Sequence, residues 1–267
     1  MKPARFEYER PADVAQALAL LGTADTEVKL LAGGQSLGPM LNLRLAQPEL
    51  LVDISKLAET RRVEAAGDHI DIGACVTHSA IEDGKVPDPT NGMLRAVAAG
   101  IAYRAVRNRG TIGGSLAHAD PAADWPSALA ALDAQALVVG PGGRRTIAVA
   151  ELMLGMFMTT LEPTEIIEAV RVPKLSAGAR WGYYKLTRKA GEFAHAIGAV
   201  VRDPGRNVCR AVVGATGGAP IVVADASTLL NDPSAVAAVI DATHLVDDPY
   251  TRQIHRVALE RALKQVM

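Results

Sequence analysis

The chain of 267 residues contains little cysteine, few aromatic residues and no excess of charge of either sign. Its two cysteines, Cys75 and Cys209, are too few for an iron–sulfur cluster, which usually takes four thiolates. Nothing around them indicates secretion, so a disulfide has no support and we expect both to pack as small hydrophobic side chains. Because aromatic residues make up only 4% of the chain, its core must consist mainly of Ala, Val, Leu and Ile.

The charge balance and the hydropathy pattern exclude two further classes of protein. Lys and Arg total 28 and Asp and Glu total 29, so we expect no basic surface for nucleic acid. No stretch approaches the roughly 18 uninterrupted apolar residues that a membrane span requires. The N-terminal residues contain no apolar signal core, and we therefore expect a cytoplasmic, reducing location.

Two common nucleotide-binding motifs are also missing. No Gly-x-Gly-x-x-Gly follows a predicted strand and no Gly-Lys-Ser/Thr occurs, which argues against a Rossmann fingerprint and a Walker A loop. Instead the chain has two Gly-Gly segments, residues 30–37 (LLAGGQSL) and 109–116 (RGTIGGSL). Glycine lets backbone N–H groups approach an anion closely, and consecutive N–H groups form a concave anion site. Two such segments predict a ligand with two linked phosphates, such as FAD.

Short helices and strands alternate irregularly in the first part of the chain. Thr77 and Asp124 are expected to cap two of these helices, because short polar side chains satisfy free N–H groups at helix starts. The apolar spacing predicts helices over 11–21, 77–82, 93–107 and 124–133, and strands over 28–32, 49–54, 69–73, 136–139, 146–148 and 166–172.

The pattern changes after residues 174–178, which read as a linker. Beyond it, three segments predict an antiparallel sheet, and three amphipathic segments predict helices that cover one face of it. The strands are expected over 182–185, 196–202 and 209–214, and the helices over 225–230, 234–241 and 250–265. We therefore predict one domain over residues 1–174, with lobes of about 1–55 and 56–174, and a second domain over 178–267.

Residues 31–37 (LAGGQSL) and 111–124 (TIGGSLAHADPAAD) resemble the two flavin loops of the FAD-binding subunits of molybdenum hydroxylases. This is the family of xanthine dehydrogenase and carbon monoxide dehydrogenase. Three further stretches match in the same order, namely 159–167, 185–194 and the tail from Tyr250 to Leu263. The resemblance implies an α+β fold: a two-lobed FAD-binding domain of the vanillyl-alcohol-oxidase (PCMH) type, followed by a C-terminal domain of the carbon monoxide dehydrogenase flavoprotein type.

The resemblance also implies which residues contact the cofactor. Backbone N–H groups of the first segment, with the Ser36 hydroxyl, would hold the pyrophosphate, and the second segment would close on it. Many relatives carry Asn where Ser115 stands, so we expect this one side-chain contact to differ in this chain. The residues expected to contact FAD are Leu30, Leu31, Ala32, Gly33, Gly34, Gln35, Ser36, Leu37, Ile101, Thr111, Gly113, Gly114, Ser115, Asp124, Ile167, Lys185 and Phe193.

Five of these residues have expected roles outside the glycine segments. Asp124 would accept a hydrogen bond from a cofactor hydroxyl, which we expect to be on the adenosine ribose. Ile101 and Ile167 would line the cofactor channel. Lys185 would lie near the flavin, where a cation favours the electron-rich reduced form. Phe193 takes the place of an aromatic residue, Tyr in some relatives, that lies against the isoalloxazine.

Structural roles compete with these assignments. Asp124 could serve only as a helix N-cap, Lys185 only as a solvated strand residue, and Phe193 only as a core side chain. Three histidines, His78, His118 and His195, lack the spacing of zinc ligands, and we expect them to be structural or loop residues. We assign no catalytic side chain and no metal site to this chain.

The resemblance implies the medium subunit of a heterotrimeric molybdenum hydroxylase, assembled as a dimer of heterotrimers. The large subunit would carry the molybdenum cofactor and the small subunit two [2Fe–2S] clusters. This chain would take electrons from those clusters to its FAD and pass them to an external acceptor: NAD, oxygen, a quinone or a cytochrome. A free-standing flavin oxidoreductase and a non-catalytic nucleotide-binding or assembly protein remain alternatives, and the oxidised substrate stays open.

Overall fold

The computed structural model describes residues 2–23, 26–232, 234–243, 245 and 248–267. The first lobe is a three-stranded parallel sheet in which β3 lies between β1 and β2. Helix α1 begins after Asp13, whose side chain accepts a hydrogen bond from the Gln16 N–H, so the helix starts later than expected. The elements are β1 (Glu7–Glu9), α1 (Val14–Leu21), β2 (Val28–Leu31), α2 (Leu37–Asn42) and β3 (Leu50–Asp53).

The second lobe is a five-stranded antiparallel sheet in the order β4-β5-β10-β6-β7, packed against short helices. Thr77 caps α4 as expected, since its hydroxyl accepts from the Ala80 N–H. The elements of this lobe are α3 (Ala58–Arg61), β4 (Val63–Ala65), β5 (His69–Gly73), α4 (His78–Glu82), α5 (Met93–Gly100), α6 (Arg104–Arg107), α7 (Ile112–His118), α8 (Asp124–Ala131), β6 (Gln135–Gly140), β7 (Gly143–Ala148), α9 (Val149–Leu152), β8 (Met153–Gly155), β9 (Met158–Thr159) and β10 (Ile166–Pro173).

The single helix predicted over residues 93–107 is wrong. Helix α5 ends at Gly100, and Ala102 adopts a left-handed backbone conformation with φ of 42°. An L-residue rarely adopts this conformation, and it turns the chain before α6 begins at Arg104. Apolar spacing continues across the break, which is why the periodicity alone did not reveal it.

The C-terminal part is a four-stranded antiparallel sheet in the order β11-β12-β13-β14, and β14 was not predicted. One face, including Gly182 and Gly198, packs against α12. The opposite face joins the core of the second lobe through Ala199 and Val201. The elements are β11 (Arg180–Leu186), β12 (Ala196–Asp203), a 3-10 turn (Pro204–Arg206), β13 (Val208–Gly214), β14 (Ile221–Val223), α10 (Ser227–Asn231), α11 (Ala235–Asp241) and α12 (Pro249–Lys264).

Both cysteines are free thiols, Cys75 buried and Cys209 half-buried, and burial raises the pKa of the Cys75 thiol to about 11. None of the described helices is long and apolar enough to cross a membrane.

Candidate functional site

The two glycine segments, which lie far apart in the sequence, are in direct contact. A Cβ atom added to Gly33 would lie 2.1 Å from the carbonyl oxygen of Arg109, so only glycine fits there. The Arg109 side chain also donates from Nε to the carbonyl oxygen of Gly33 at 3.4 Å. Gly114 faces the same segment, since a Cβ on it would lie 3.7 Å from the Cβ of Ala32. The glycines therefore allow two backbones to approach closely.

The first segment leaves the end of β2 and exposes a row of free backbone donors. The strand ends at Leu31, whose carbonyl oxygen accepts from the Ile54 N–H at 3.0 Å. Gly34 has a φ of 72°, which favours glycine, and the chain then enters α2 at Leu37. The N–H groups of Gly33, Gly34, Gln35 and Ser36 donate to no residue that the structure describes. The Ser36 hydroxyl likewise has no partner among those residues.

The second segment runs into the start of a helix, α7, which begins at Ile112. Thr111 is the N-cap of α7, and its hydroxyl accepts from the Gly114 N–H at 3.1 Å. The Gly113 N–H donates to the Ala74 carbonyl oxygen at 2.9 Å, and the Ser115 N–H donates to that of Thr111 at 3.0 Å. These three donors are used inside the protein. The side chain of Ser115 has no hydrogen-bond partner among the described residues, so its hydroxyl is available.

A buried histidine, His78, packs against the second segment and bonds to its backbone. The backbone N–H of His78 donates to the Gly110 carbonyl oxygen at 2.9 Å. The ring nitrogen Nδ1 of the same residue accepts from Trp125 Nε1 at 3.0 Å. Burial lowers the pKa of His78 from 6.5 to about 4, so the ring is neutral near pH 7. A Cβ on Gly110 would lie 2.8 Å from Nε2 of this ring, so the backbone of the second segment packs directly against the histidine.

Asp124 is not the helix cap that the sequence allowed; Ala123 occupies that position. The Asp124 carboxylate is buried and bonded to two side chains of β11. Tyr183 donates its hydroxyl proton to Oδ1 at 2.7 Å, and Lys185 Nζ lies 2.9 Å from Oδ1 and 3.0 Å from Oδ2. Burial raises the pKa of Asp124, and Lys185 and Tyr183 oppose this rise because both favour the charged carboxylate. Lys185 is therefore a paired side chain and not a solvated one.

Residues 4–175 match the family model described as the FAD binding domain in molybdopterin dehydrogenase. The chain belongs to this family. The chain is thus an FAD-binding flavoprotein of the molybdenum-containing oxidoreductases, and the expected α+β fold is confirmed.

Known members of the family are similar to this flavoprotein over most of its length. It is 42% identical to the carbon monoxide dehydrogenase medium chain of Hydrogenophaga pseudoflava over 221 residues, 82% of this chain and 77% of that one. It is 39% identical to the nicotine 6-hydroxylase medium subunit of Paenarthrobacter nicotinovorans over 234 residues, 86% of this chain and 82% of that one. A chain in the solved carbon monoxide dehydrogenase from Hydrogenophaga pseudoflava, lacking the Mo-pyranopterin moiety, superposes with a TM-score of 0.90 at 36% identity, covering 100% and 98% of the two chains.

The remaining predicted contact residues of the flavoprotein lie in different environments. Ile167 is buried in β10, and Ile101 packs against the same core cluster at the break after α5. The carbonyl oxygen of Gly100, next to Ile101, accepts from Lys185 Nζ at 2.8 Å and joins this region to Asp124. Phe193 is 61% exposed in the loop after β11, so it is not a core side chain. Its contact with a flavin stays a prediction, as do the contacts of the other residues.

The donor set of the flavoprotein fits the diphosphate of FAD. The free N–H groups of residues 33–36 and the free hydroxyl groups of Ser36 and Ser115 are neutral donors of the kind that bind phosphate oxygens. Three residues that support the site, Arg109, Trp125 and Tyr183, were not predicted from the sequence. Of these, only Arg109 had a signal in the sequence, because it opens the second segment. The contacts of the other two form only in the folded chain.

The described residues contain no group of three or more His, Cys, Asp or Glu side chains that could hold a metal ion. The three histidines have different environments. His78 is buried and supports the second segment, and the ring of His118 lies 5.0 Å from that of Phe157. His195 is exposed.

Proposed function

We propose that this chain binds one FAD non-covalently between the two glycine segments and serves as the electron-transfer subunit of a molybdenum hydroxylase. It would take electrons from [2Fe–2S] clusters of a small partner subunit and pass them to an external acceptor, while a large partner subunit oxidises the substrate. The observation that carries this proposal is the contact of Gly33 with Arg109, which brings the free N–H groups of one lobe beside the hydroxyl-bearing helix start of the other.

The residues divide the work of holding FAD between the two lobes. The N–H groups of Gly33 to Ser36 would bind the pyrophosphate, and the Ser115 hydroxyl would reach it from α7. Asp124 would accept from a ribose hydroxyl, since an ionised carboxylate has about four acceptor positions and its contacts with Tyr183 and Lys185 leave some of them free. When bound, FAD supplies the redox chemistry, because its ring exchanges electrons singly or in pairs, and the protein supplies position and electrostatics.

An exposed apolar hairpin supports the proposal of partner subunits. Leu154, Met156, Phe157 and Met158 lie in or beside β8 and β9, and each is more than half exposed. Contiguous exposed apolar side chains are typical of protein interaction sites. The hairpin touches the C-terminal end of α7, because the Phe157 N–H donates to the carbonyl oxygen of Ala119, the C-cap of that helix, at 2.9 Å. A protein bound there would lie close to the cofactor loops.

The proposal is tested on the tagged chain purified from its native cells. We expect flavin absorption together with iron–sulfur absorption and two co-purifying subunits. Adding a substrate that the complex oxidises should reduce the flavin, because the electrons released by the substrate pass to it. A complex with the partner subunits but without flavin would overturn the cofactor assignment. A flavin-containing chain that oxidises an organic substrate without partners would instead indicate a free-standing oxidoreductase.

A further inference from the structure

Two residues of β11 point from the C-terminal sheet towards the second lobe. Tyr183 and Lys185 are two positions apart on the strand and therefore lie on the same face. Both reach Asp124, which opens α8 directly after the loop that follows α7. The intervening Tyr184 lies on the opposite face, where its ring packs with the core under α12. The C-terminal sheet thus supplies both side-chain partners of one buried carboxylate.

The two partners act on different parts of that carboxylate. The Tyr183 hydroxyl donates to Oδ1 at 2.7 Å, within a single hydrogen bond of fixed direction. Lys185 has three donors, and it divides them between the carboxylate and the Gly100 carbonyl oxygen at 2.8 Å. Lys185 Nζ lies at similar distances from both carboxylate oxygens, 2.9 Å from Oδ1 and 3.0 Å from Oδ2, so it does not distinguish them. Of the two partners, only the Tyr183 hydroxyl does, because it donates to Oδ1 alone. The orientation of the carboxylate relative to a ligand is therefore set by Tyr183.

We propose that Tyr183 is a positioning residue of the FAD site, which holds the Asp124 carboxylate in the orientation that accepts a cofactor hydroxyl. The inference rests on the proposed role of Asp124 in binding FAD, and it makes β11 of the C-terminal sheet a part of the cofactor site. Tyr183 acts through Asp124 and does not itself touch the cofactor.

The same contacts predict how the pH dependence of FAD binding changes when Tyr183 is replaced. In the described part of the chain, the titratable groups that face Asp124 are Lys185 and Tyr183, both on β11, and its own backbone contributes an N–H. Removing the tyrosine hydroxyl takes away a donor to the charged form, so the pKa of Asp124 rises. The protonated carboxyl is a poorer acceptor, and FAD affinity then begins to fall at a higher pH than in the wild type.

The experiment compares Tyr183→Phe with Tyr184→Phe in the full chain, measuring the Kd of FAD by fluorescence titration between pH 5 and 9. Tyr184 is a matched control, because its hydroxyl accepts from Arg261 on the far face of the same strand. We expect Tyr183→Phe to raise the Kd about 10-fold at pH 7, as for a lost hydrogen bond to a charged group, and to move the acid limb to higher pH. Tyr184→Phe should leave both unchanged.

A double-mutant cycle with Asp124→Asn separates positioning from general loss of structure. We expect Tyr183→Phe to have little further effect on the Kd in the Asp124→Asn background, because the group it positions is already changed. Equal effects in both backgrounds, or an unchanged Kd and pH profile in Tyr183→Phe, would overturn the inference. Failure of the wild-type chain to bind FAD, alone and in its complex, would contradict the proposed function instead.

Discussion

Gly33 and Arg109 hold the two lobes together at the cofactor loops. A Cβ on Gly33 would lie 2.1 Å from the Arg109 carbonyl oxygen and 2.8 Å from the Cα of Gly110, both backbone atoms that cannot move aside alone. The guanidinium of Arg109 also donates a hydrogen bond to the Gly33 carbonyl oxygen. The distance between the two segments is therefore fixed by the absence of a side chain at one position.

We expect Gly33→Ala to weaken FAD binding by more than about 10-fold, because the methyl group forces the two segments apart. Gly38→Ala is the control, since a Cβ there has no neighbour within 4 Å and the residue lies in the adjoining helix. The measurement is the Kd of FAD by titration, with the far-ultraviolet spectrum recorded for both variants. Similar affinities in the two variants would show that the loop contact does not shape the site.

Replacing Lys185 by Met should cost about 3 kcal/mol of unfolding free energy at pH 7, because it leaves the buried Asp124 carboxylate without its cation. The pKa of Asp124 then rises further above its unfolded value. The native state consequently binds more protons than the unfolded state, so the deficit shrinks as the pH falls towards the unfolded pKa of about 4.

Urea unfolding at several pH values between 5 and 8 measures this deficit. Lys189→Met is the control, because Lys189 is exposed and its one ion pair among the described residues is with Glu192 at 3.5 Å. It should leave the free energy of unfolding unchanged. A deficit in Lys185→Met that does not vary with pH would mean that Asp124 is not the group responsible.

His78 should make the protein less stable in acid. The unfolded state takes up a proton near pH 6.5, whereas burial delays protonation of the native state to about pH 4. Between these values the unfolded state binds more protons, so the unfolding free energy falls with falling pH by on the order of 3 kcal/mol. In His78→Gln this part of the slope should disappear. Denaturant curves at pH 7, 6, 5 and 4 measure it, with His195→Gln, an exposed position, expected to keep the wild-type slope.

Two glycines on the C-terminal sheet should be intolerant of a methyl group. Cβ atoms on Gly182 and Gly198 would lie 2.0 and 2.4 Å from carbonyl oxygens of α12, those of Ala262 and Ala258. We expect each Ala variant to lose about 1–3 kcal/mol of unfolding free energy, since the helix must move away from the sheet. Thermal unfolding measures the loss. Gly178→Ala, in open space, should not lower the midpoint, and an equal drop there would contradict the packing argument.

Local sequence was sufficient wherever one element carries its own signal. The strand over 69–73 and the cap at Thr77 were predicted, because alternating apolar residues and a hydroxyl before a helix act within a few residues. The break at Ala102 was not, because it depends on a left-handed backbone that apolar periodicity does not report. The cap assigned to Asp124 was wrong because tertiary partners compete for the carboxylate, and they bind it more strongly than an N–H of its own helix.

The sequence by itself determined the pair of glycine segments, the family to which they belong and the α+β fold. Only the tertiary structure decided what the glycines do. In the first segment Gly33 makes room for a backbone, and the N–H groups of residues 33–36 have no partner among the described residues. In the second, the N–H groups of Gly113, Gly114 and Ser115 are used within the protein. The physical reason is that a free donor is defined by the absence of a partner, and partners such as Ala74 come from distant parts of the chain. The same holds for Tyr183, which meets Asp124 only because the C-terminal sheet packs on the second lobe.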